Sequence, residues 1–501
     1  MNLPLKFIFG ASRKTAGRVL MAIAALQLTG CVVGPKYHVP TAPAPPTYKE
    51  AGDWKPAQPN DQNLGGSWWT IFQDPQLNAL EDQVNVSNQN LKAAEAQFRQ
   101  SRAALRYSRA DYYPTVTYGP LATRERVSSH RPPPNSIFNG ITYNDFVLPF
   151  SVSYQADVWG RVRKNVESYR EQAQASAADL ATVNLSMHAD LAVDYFQARS
   201  LDAEEQLLNS TVQQYEQALE LNENRFAGGI ASEVEVEQAR TQLETTRAQA
   251  VDVGVLRAQY EHAVAILIGK PPAEFSLPPL PLSAPPPHIP ISVPSELLER
   301  RPDIAAAERL VASANAQIGV AKSAYYPVIS LGATGGFESS AITTLLNGPS
   351  GLWSVGLSAV GTVFDVGRRH ALNDQARAAY DYQVAAYRES VLSGFQQVED
   401  NLAAVRILEN EAKVQNEAVV AAQRSLDLSV TRYKGGVTSY LEVITAQSAA
   451  LADEVTAVNI LGRRMANTVL LIQALGGGWD RSSLPERPEC CGKLASSSGS
   501  N

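Results

Sequence analysis

The chain has 501 residues, of which 45% are hydrophobic and 19% charged, and its net charge is −7. That apolar content excludes a disordered chain, and the acidic balance argues against a nucleic-acid partner, which needs a basic surface. Residues 1–30 carry Lys6, Arg13, Lys14 and Arg18 and no acid, so their removal takes the charge from −7 to −11.

Those four basic residues precede an apolar run from Val19 to Leu28, the layout of a secretory signal. Leu28-Thr29-Gly30-Cys31 resembles a bacterial lipobox, whose cysteine is acylated and becomes the new N-terminus; the alternative is an ordinary signal peptide with a chance cysteine. Cys31 is therefore the expected lipidation site, carrying diacylglycerol and an N-acyl chain. Cys490 and Cys491 are adjacent in a Gly/Ser-rich tail (478–501), fit neither a metal site nor a disulfide framework, and read as incidental. No other run approaches the ~20 apolar residues of a transmembrane helix. If the chain crosses a membrane, strands must do it.

Residues 31–65 are Pro-rich and polar and predict an extended spacer. Asp74-Pro75 predicts a helix start, and the helical pattern runs to about Tyr112, where Y-Y-P ends it. Strands are expected at about 114–123 and 146–158, the second from strict alternation of Phe146, Leu148, Phe150, Val152, Tyr154, Ala156 and Val158 with polar residues. After Trp159-Gly160 a heptad seam begins at Val162, and helix continues to Phe226. A continuous helix of that length would span roughly 100 Å. A further helix runs to about Ile268. Residues 271–294 hold ten prolines and predict a linker. The plan then restarts: helix from about Ser295 to Ala324, strands at about 328–338 and 352–364, a long helix, and a last helix to Leu475.

The two halves (66–270 and 295–477) are thus a tandem repeat, offset by 207 positions. The repeat is clearest where each long helical pattern breaks, at R-F-A-G-G-I-A-S-E-V-E-V (225–236) and R-Y-K-G-G-V-T-S-Y-L-E-V (432–443). Gly228-Gly229 and Gly435-Gly436 suit helix ends, and Ser232 and Ser439 suit the next helix starts. Each copy predicts the tip of a long helical hairpin, with Glu235 and Glu442 just behind it.

The fold class is mixed α and β, mostly α. Four ten-residue strands match outer-membrane strands in length but cannot close a barrel, and lipid does not tolerate an open edge. Either the sheet is soluble and packed on helices, or several chains pool their strands. In the pooled case one strand face is aromatic and aliphatic and the other is small and polar, as around a water-filled pore. Both strand pairs enter from and leave into helices, so all long helices would lie on one side of the membrane.

Four segments resemble the TolC-type outer-membrane efflux family in its acylated branch: L-T-G-C-V-V-G-P-K-Y, W-W-T-I-F-Q-D-P-Q-L, the run from Glu299-Arg300-Arg301-Pro302-Asp303 to Y-Y-P-V-I-S-L, and the second tip. The resemblance spans residues 28 to 477. It implies a homotrimer with a twelve-stranded barrel in outer-membrane lipid and a periplasmic helical tunnel. It implies a periplasmic adaptor (membrane fusion) protein and an inner-membrane pump of the RND type as partners, and small molecules such as drugs or toxic compounds as cargo. Carried over by position, Glu235, Tyr433 and Glu442 would form the periplasmic gate, with a Tyr433–Glu235 hydrogen bond as its lock. Gly228, Gly229, Ser232, Gly435, Gly436 and Ser439 would be the adaptor-contact tip. Thr438 stands where relatives place a lock arginine, and Thr445 where they place a second acidic ring. Arg161, Arg163, Arg368 and Arg369 follow the strands and suit either lipid phosphates or solvent.

The six histidines are scattered, and neither a P-loop nor an H-E-x-x-H nor a G-x-S-x-G occurs. No catalytic, cofactor or metal site is expected, and the chain reads as a conduit, not an enzyme. The alternatives are a type I protein-secretion duct and a lipid-anchored periplasmic coiled-coil scaffold.

Overall fold

A computed structural model describes residues 32–43, 45–51, 66–130, 140–289 and 299–484. The signal segment, Cys31, Cys490 and Cys491 lie outside the described residues.

Helix α1 (Pro75–Ser87) starts at the expected place, with the Asp74 carboxylate accepting from the backbone N–H groups of Gln76 and Leu77. It does not run on to Tyr112. Asn88 interrupts it, and α2 (Gln89–Ala110) follows. The Asn88 side chain explains the break: Oδ1 caps Leu91 N–H at 2.9 Å and Nδ2 donates to Leu267 O at 2.8 Å. One amide therefore serves the start of α2 and a helix end far away in sequence.

The first expected strand is two short ones, β1 (Thr115–Tyr118) and β2 (Leu121–Arg126). Gly119-Pro120 separates them, because proline has no N–H for the ladder. Both pair antiparallel with β3 (Thr142–Ala156) in one continuous register, Tyr118 opposite Phe150 and Leu121 opposite Val147. β3 begins four residues before the alternation, since Thr142 to Asp145 lack an apolar face and are held by pairing alone. In the second half, β4 (Val328–Ser339) pairs with β3, and β5 (Gly351–Val360) pairs with β4. Gly336 is dictated by contact: a Cβ there would lie 2.2 Å from Leu148 O on β3.

Four long helices carry the rest. α3 (Arg161–Ala227) and α6 (Arg368–Lys434) have 67 residues each, and α4 (Glu233–Leu267) and α7 (Tyr440–Ala474) have 35 each. All four pairs of ends keep the offset seen in sequence. α5 (Pro302–Ser323) leads into β4.

The chain divides into two compact units that cut across the repeat. One comprises the described residues among 1–40, 100–173 and 308–385. It holds the sheet, and the spacer is tied into it: Val33 N–H donates to Trp159 O, Asn315 donates to Pro35 O, and Tyr37 donates to Glu308. Gly34 crosses α5 at Gly319, where a Cβ would meet the glycine Cα at 2.8 Å. Beneath lies a buried ion cluster in which Arg309 bonds Glu171 at 2.9 Å and also Glu308.

The other unit comprises the described residues among 41–99, 174–307 and 386–501. The Pro-rich linker is docked here. Buried Arg199 donates to Asp202 (2.8 Å) and to Pro278 O (2.6 Å), and Asp202 accepts from Leu280 N–H (2.9 Å). A second buried pair joins α1 to α3: His188 Nδ1 and Glu81 Oε2 are 2.6 Å apart, both essentially inaccessible, under a stacked Trp69 ring. Burial pushes the Glu81 carboxyl up to about 9, with Asp82 adding to the shift, and pushes His188 down to about 4.

The pair therefore stays net neutral, holding one proton, from about pH 4 to about pH 9. An unfolded chain loses that proton above the free-histidine range, near pH 6.5, so the folded state is the more protonated between there and about 9. Stability from this pair should fall as pH rises through that window, at up to about 1.4 kcal/mol per pH unit. Glu81→Gln keeps an acceptor for the ring and removes the titration. Thermal unfolding between pH 6.5 and 9 is expected to show a shallower decline in this variant than in the parent.

Candidate functional site

The two hairpin tips lie together in one unit, and each begins with the same helix-ending device. At the first tip, Gly229 N–H bonds Phe226 O at 2.9 Å and Ile230 N–H bonds Arg225 O at 2.8 Å. At the second, Gly436 N–H bonds Tyr433 O at 2.9 Å and Val437 N–H bonds Arg432 O at 3.0 Å. These are Schellman pairs, and they need a left-handed residue at the second glycine. Gly229 and Gly436 supply it, with φ of 72° and 73°. Gly228 and Gly435 are exposed, are not left-handed, and would meet an added Cβ only at ordinary contact distance. Ser232 and Ser439 occupy the N-cap positions with extended backbone, but neither side chain makes a capping bond. Only their carbonyls act, toward Glu235 and Glu442 N–H.

The tips differ in what they bury. Tyr433 and Tyr440 are buried with Val443 against Ala239 of α4. The positions 207 earlier hold exposed Phe226 and Glu233. Tyr433 OH donates to Asn222 Oδ1 at 2.5 Å, and Asn222 Nδ2 donates to Ala218 O of its own helix. The Arg225 guanidinium sits over the Tyr433 ring, 4.6 Å from its centroid, and Tyr440 packs at 5.2 Å. Half-buried Glu235 stands close by. Burial raises the Tyr433 pKa first, and the nearby Glu235 charge raises it further, against Arg225. Burial also pushes Tyr440 up to about 12, with Tyr433 and Tyr215 adding to it.

The structure thus brings Glu235 and Tyr433 together, but around a third residue. Asn222 receives the short phenol bond, where the family resemblance implied Glu235. Asn222, Arg225 and Tyr440 were the partners missed; Asn222 had no distinguishing signal, because a helical asparagine reads as an exposed polar residue. Glu442 is exposed and lies 3.6 Å from Arg432 of the same chain. The Thr438 hydroxyl is buried and makes no hydrogen bond among the described residues, and Thr445 bonds its own helix at Leu441 O.

The other functional surface is the sheet. Cross-strand pairs place Val116, Tyr118, Phe150, Val152, Leu331 and Leu357 on one face, and Tyr118 and Phe150 meet at 6.5 Å between ring centroids. The opposite face carries Thr117, Ser151, Thr334 and Ser354, with Ser151 and Thr334 hydroxyls 3.4 Å apart. At the sheet base, Arg163 and Arg369 are engaged by Asp157 and Asp365 at 3.0 and 2.6 Å, so neither is a free basic group.

If Tyr433–Asn222 is one bond, its two ends should behave as one. Tyr433→Phe and Asn222→Ala are each expected to lower the apparent unfolding temperature by a similar amount, from loss of a bond worth about 1 kcal/mol. The double variant should fall little further. Additive losses would show that the two side chains act independently.

The family model described as outer membrane efflux protein matches residues 80–270 and 293–477, one match per repeat. The chain is 31% identical over 467 residues to the toluene efflux pump outer membrane protein TtgF of Pseudomonas putida, covering 91% of this chain and 96% of that one. It is 29% identical over 468 residues to the cation efflux system protein CusC of Escherichia coli O6:H1, covering 93% and 99%. Among solved structures, the outer-membrane channel OprN superposes with a TM-score of 0.83 at 27% identity, covering 90% of this chain and 100% of that one. By its repeat, its sheet and its paired helical tips, the chain belongs to the outer membrane efflux protein family.

Proposed function

We propose that this chain, an outer-membrane efflux channel by family, works as a homotrimeric exit duct that takes small molecules from a periplasmic adaptor and an inner-membrane pump. The observation that carries the trimer is the sheet edge. β1 with β2 and β5 are both unpaired on one side, while Trp353, Val355 and Leu357 of β5 are 81%, 75% and 70% exposed. An open edge with an apolar face is not tolerated in lipid, so neighbouring copies must complete the ladder. The small hydroxyl-bearing face then lines the pore. Energy comes from the pump, and the duct itself catalyses nothing.

The tips are the adaptor-contact surface and the gate. Val234, Leu441, Ile230 and Val437 are exposed around the two glycine pairs. A groove between α4 and α7 is lined by Glu233, Glu237, Leu441 and Ile444. The buried Tyr433 cluster holds the second tip on the first, and opening the gate requires breaking it. Glu442 contributes less net negative charge at the mouth than an unpaired carboxylate, because Arg432 stands beside it. Relatives named for toluene and for cation efflux support small cargo rather than protein.

Lipid attachment at Cys31 fits the same arrangement. Val32 packs on Gly160, where an added Cβ would lie 3.0 Å from the valine side chain, and Val33 bonds Trp159 at the base of β3.

Gly435 offers a clean test, since its backbone tolerates a side chain. Gly435→Trp is expected to abolish efflux in cells with the cognate pump and adaptor while the purified trimer unfolds at the parental temperature. Efflux that survives this change would remove the tip from the adaptor contact. Cys31→Ala should abolish incorporation of labelled palmitate; label that persists would overturn the assignment.

A further inference from the structure

The register of the β2–β3 hairpin places two arginines where a membrane channel has a use for them. Phe146 to Ala156 of β3 form the apolar face, about 34 Å of strand or about 24 Å of depth at the usual tilt of about 45°. That is the height of the hydrocarbon band on outer-membrane strands. β2 continues past it. Ala122 lies opposite Phe146 at the upper edge, Arg124 opposite Asn144 one step further, and Arg126 opposite Thr142 one step beyond. Alternation keeps both arginines on the apolar side, about 5 and 10 Å above its rim. The hairpin end is the end away from α2 and α3, and hence faces out of the cell.

Both side chains are exposed, and among the described residues no acid shares their face. Glu125, between them, points to the other side, where Tyr143 OH donates to it at 3.3 Å. Across the sheet, residues 339–353 carry no charged group at all. Two unneutralised guanidinium groups directly above an aromatic and aliphatic band meet a lipid surface at its phosphate level, and a guanidinium binds phosphate with two parallel hydrogen bonds.

We propose that Arg124 and Arg126 form a binding site for the phosphates of a glycolipid in the outer leaflet, with the apolar face below receiving its acyl chains. The site rests on the sheet facing lipid, as the proposed trimeric duct requires. Its occupant is an anionic lipid and not a soluble anion, because the arginines top an apolar face and line no pocket. Three copies per trimer would ring the barrel at its outer rim.

The test uses the purified full-length trimer in detergent, titrated with diphosphorylated lipid A and with the same lipid stripped of phosphate, binding being read by native mass spectrometry. The parent should bind the phosphorylated form at least about tenfold more tightly, as two charge-assisted contacts imply. Arg124→Gln with Arg126→Gln should abolish the preference, whereas Arg124→Lys with Arg126→Lys should keep part of it. Equal binding of both lipids by the parent, or a full preference in the glutamine variant, would overturn the site. Inorganic pyrophosphate that displaces the lipid completely would make it a soluble-anion site instead, which also overturns the assignment. Quenching of tryptophan emission by brominated lipid in reconstituted vesicles separates the premise from the site. Quenching that Trp353→Phe does not reduce would show that β5 faces no lipid, and the duct reading itself would then fail.

Discussion

The unpaired backbone edges of the sheet constrain everything else in this molecule. A ladder ordered β1/β2, β3, β4, β5 leaves hydrogen-bonding groups open at two edges. In water such edges invite aggregation; in hydrocarbon each unsatisfied group costs several kcal/mol. The chain cannot satisfy them alone, since its remaining described residues are helical or irregular. It is therefore built to be incomplete, and its helices follow from that. Each hairpin must be entered and left from the same side of the membrane. So β1 and β4 are each preceded by a helix, β3 and β5 are each followed by one of 67 residues, and both long helices must turn and come back.

Coming back requires a helix end that water or a neighbour can tolerate, and this explains the glycine pairs. Of each pair only the second glycine is needed by the backbone, at φ near +72°. The first is free of that demand and free of steric demand as well.

Much of this was legible in the sequence because it depends on periodicity. The 207-residue offset, the switch from alternation to heptads at Trp159-Gly160, and the glycine breaks are one-dimensional patterns with one structural meaning each. The strand that began early at Thr142 was not legible, because Thr142 to Asp145 have no apolar face and are strand only through their partners on β2. Nor was the interruption at Asn88, where a side chain bonds residues on two helices, one of them 179 positions away. The tip cluster lay between these cases. Glu235 and Tyr433 were found by position in a motif, whereas Asn222 belongs to no motif and is recognisable only as the acceptor buried under the phenol. Residues that act through a period were readable, and residues that act through a tertiary bond were not.

The repeat also shows how two copies of one part come to differ in what they bury. Equal helix lengths place the two tips side by side. Were their sequences equal, nothing would tell one from the other, and neither would hold its neighbour. Among the differences between the copies, Tyr433 and Tyr440 stand where the first copy has Phe226 and Glu233, and those rings are buried against residues of the first copy. Asn222, Arg225 and Glu235 then converge on Tyr433 from the first copy's two helices. These are polar, individually weak contacts, each worth about 1 kcal/mol or less in net terms. The contact between the tips therefore lies in the asymmetry between the halves, while the shared parts of the repeat supply the length and the turn.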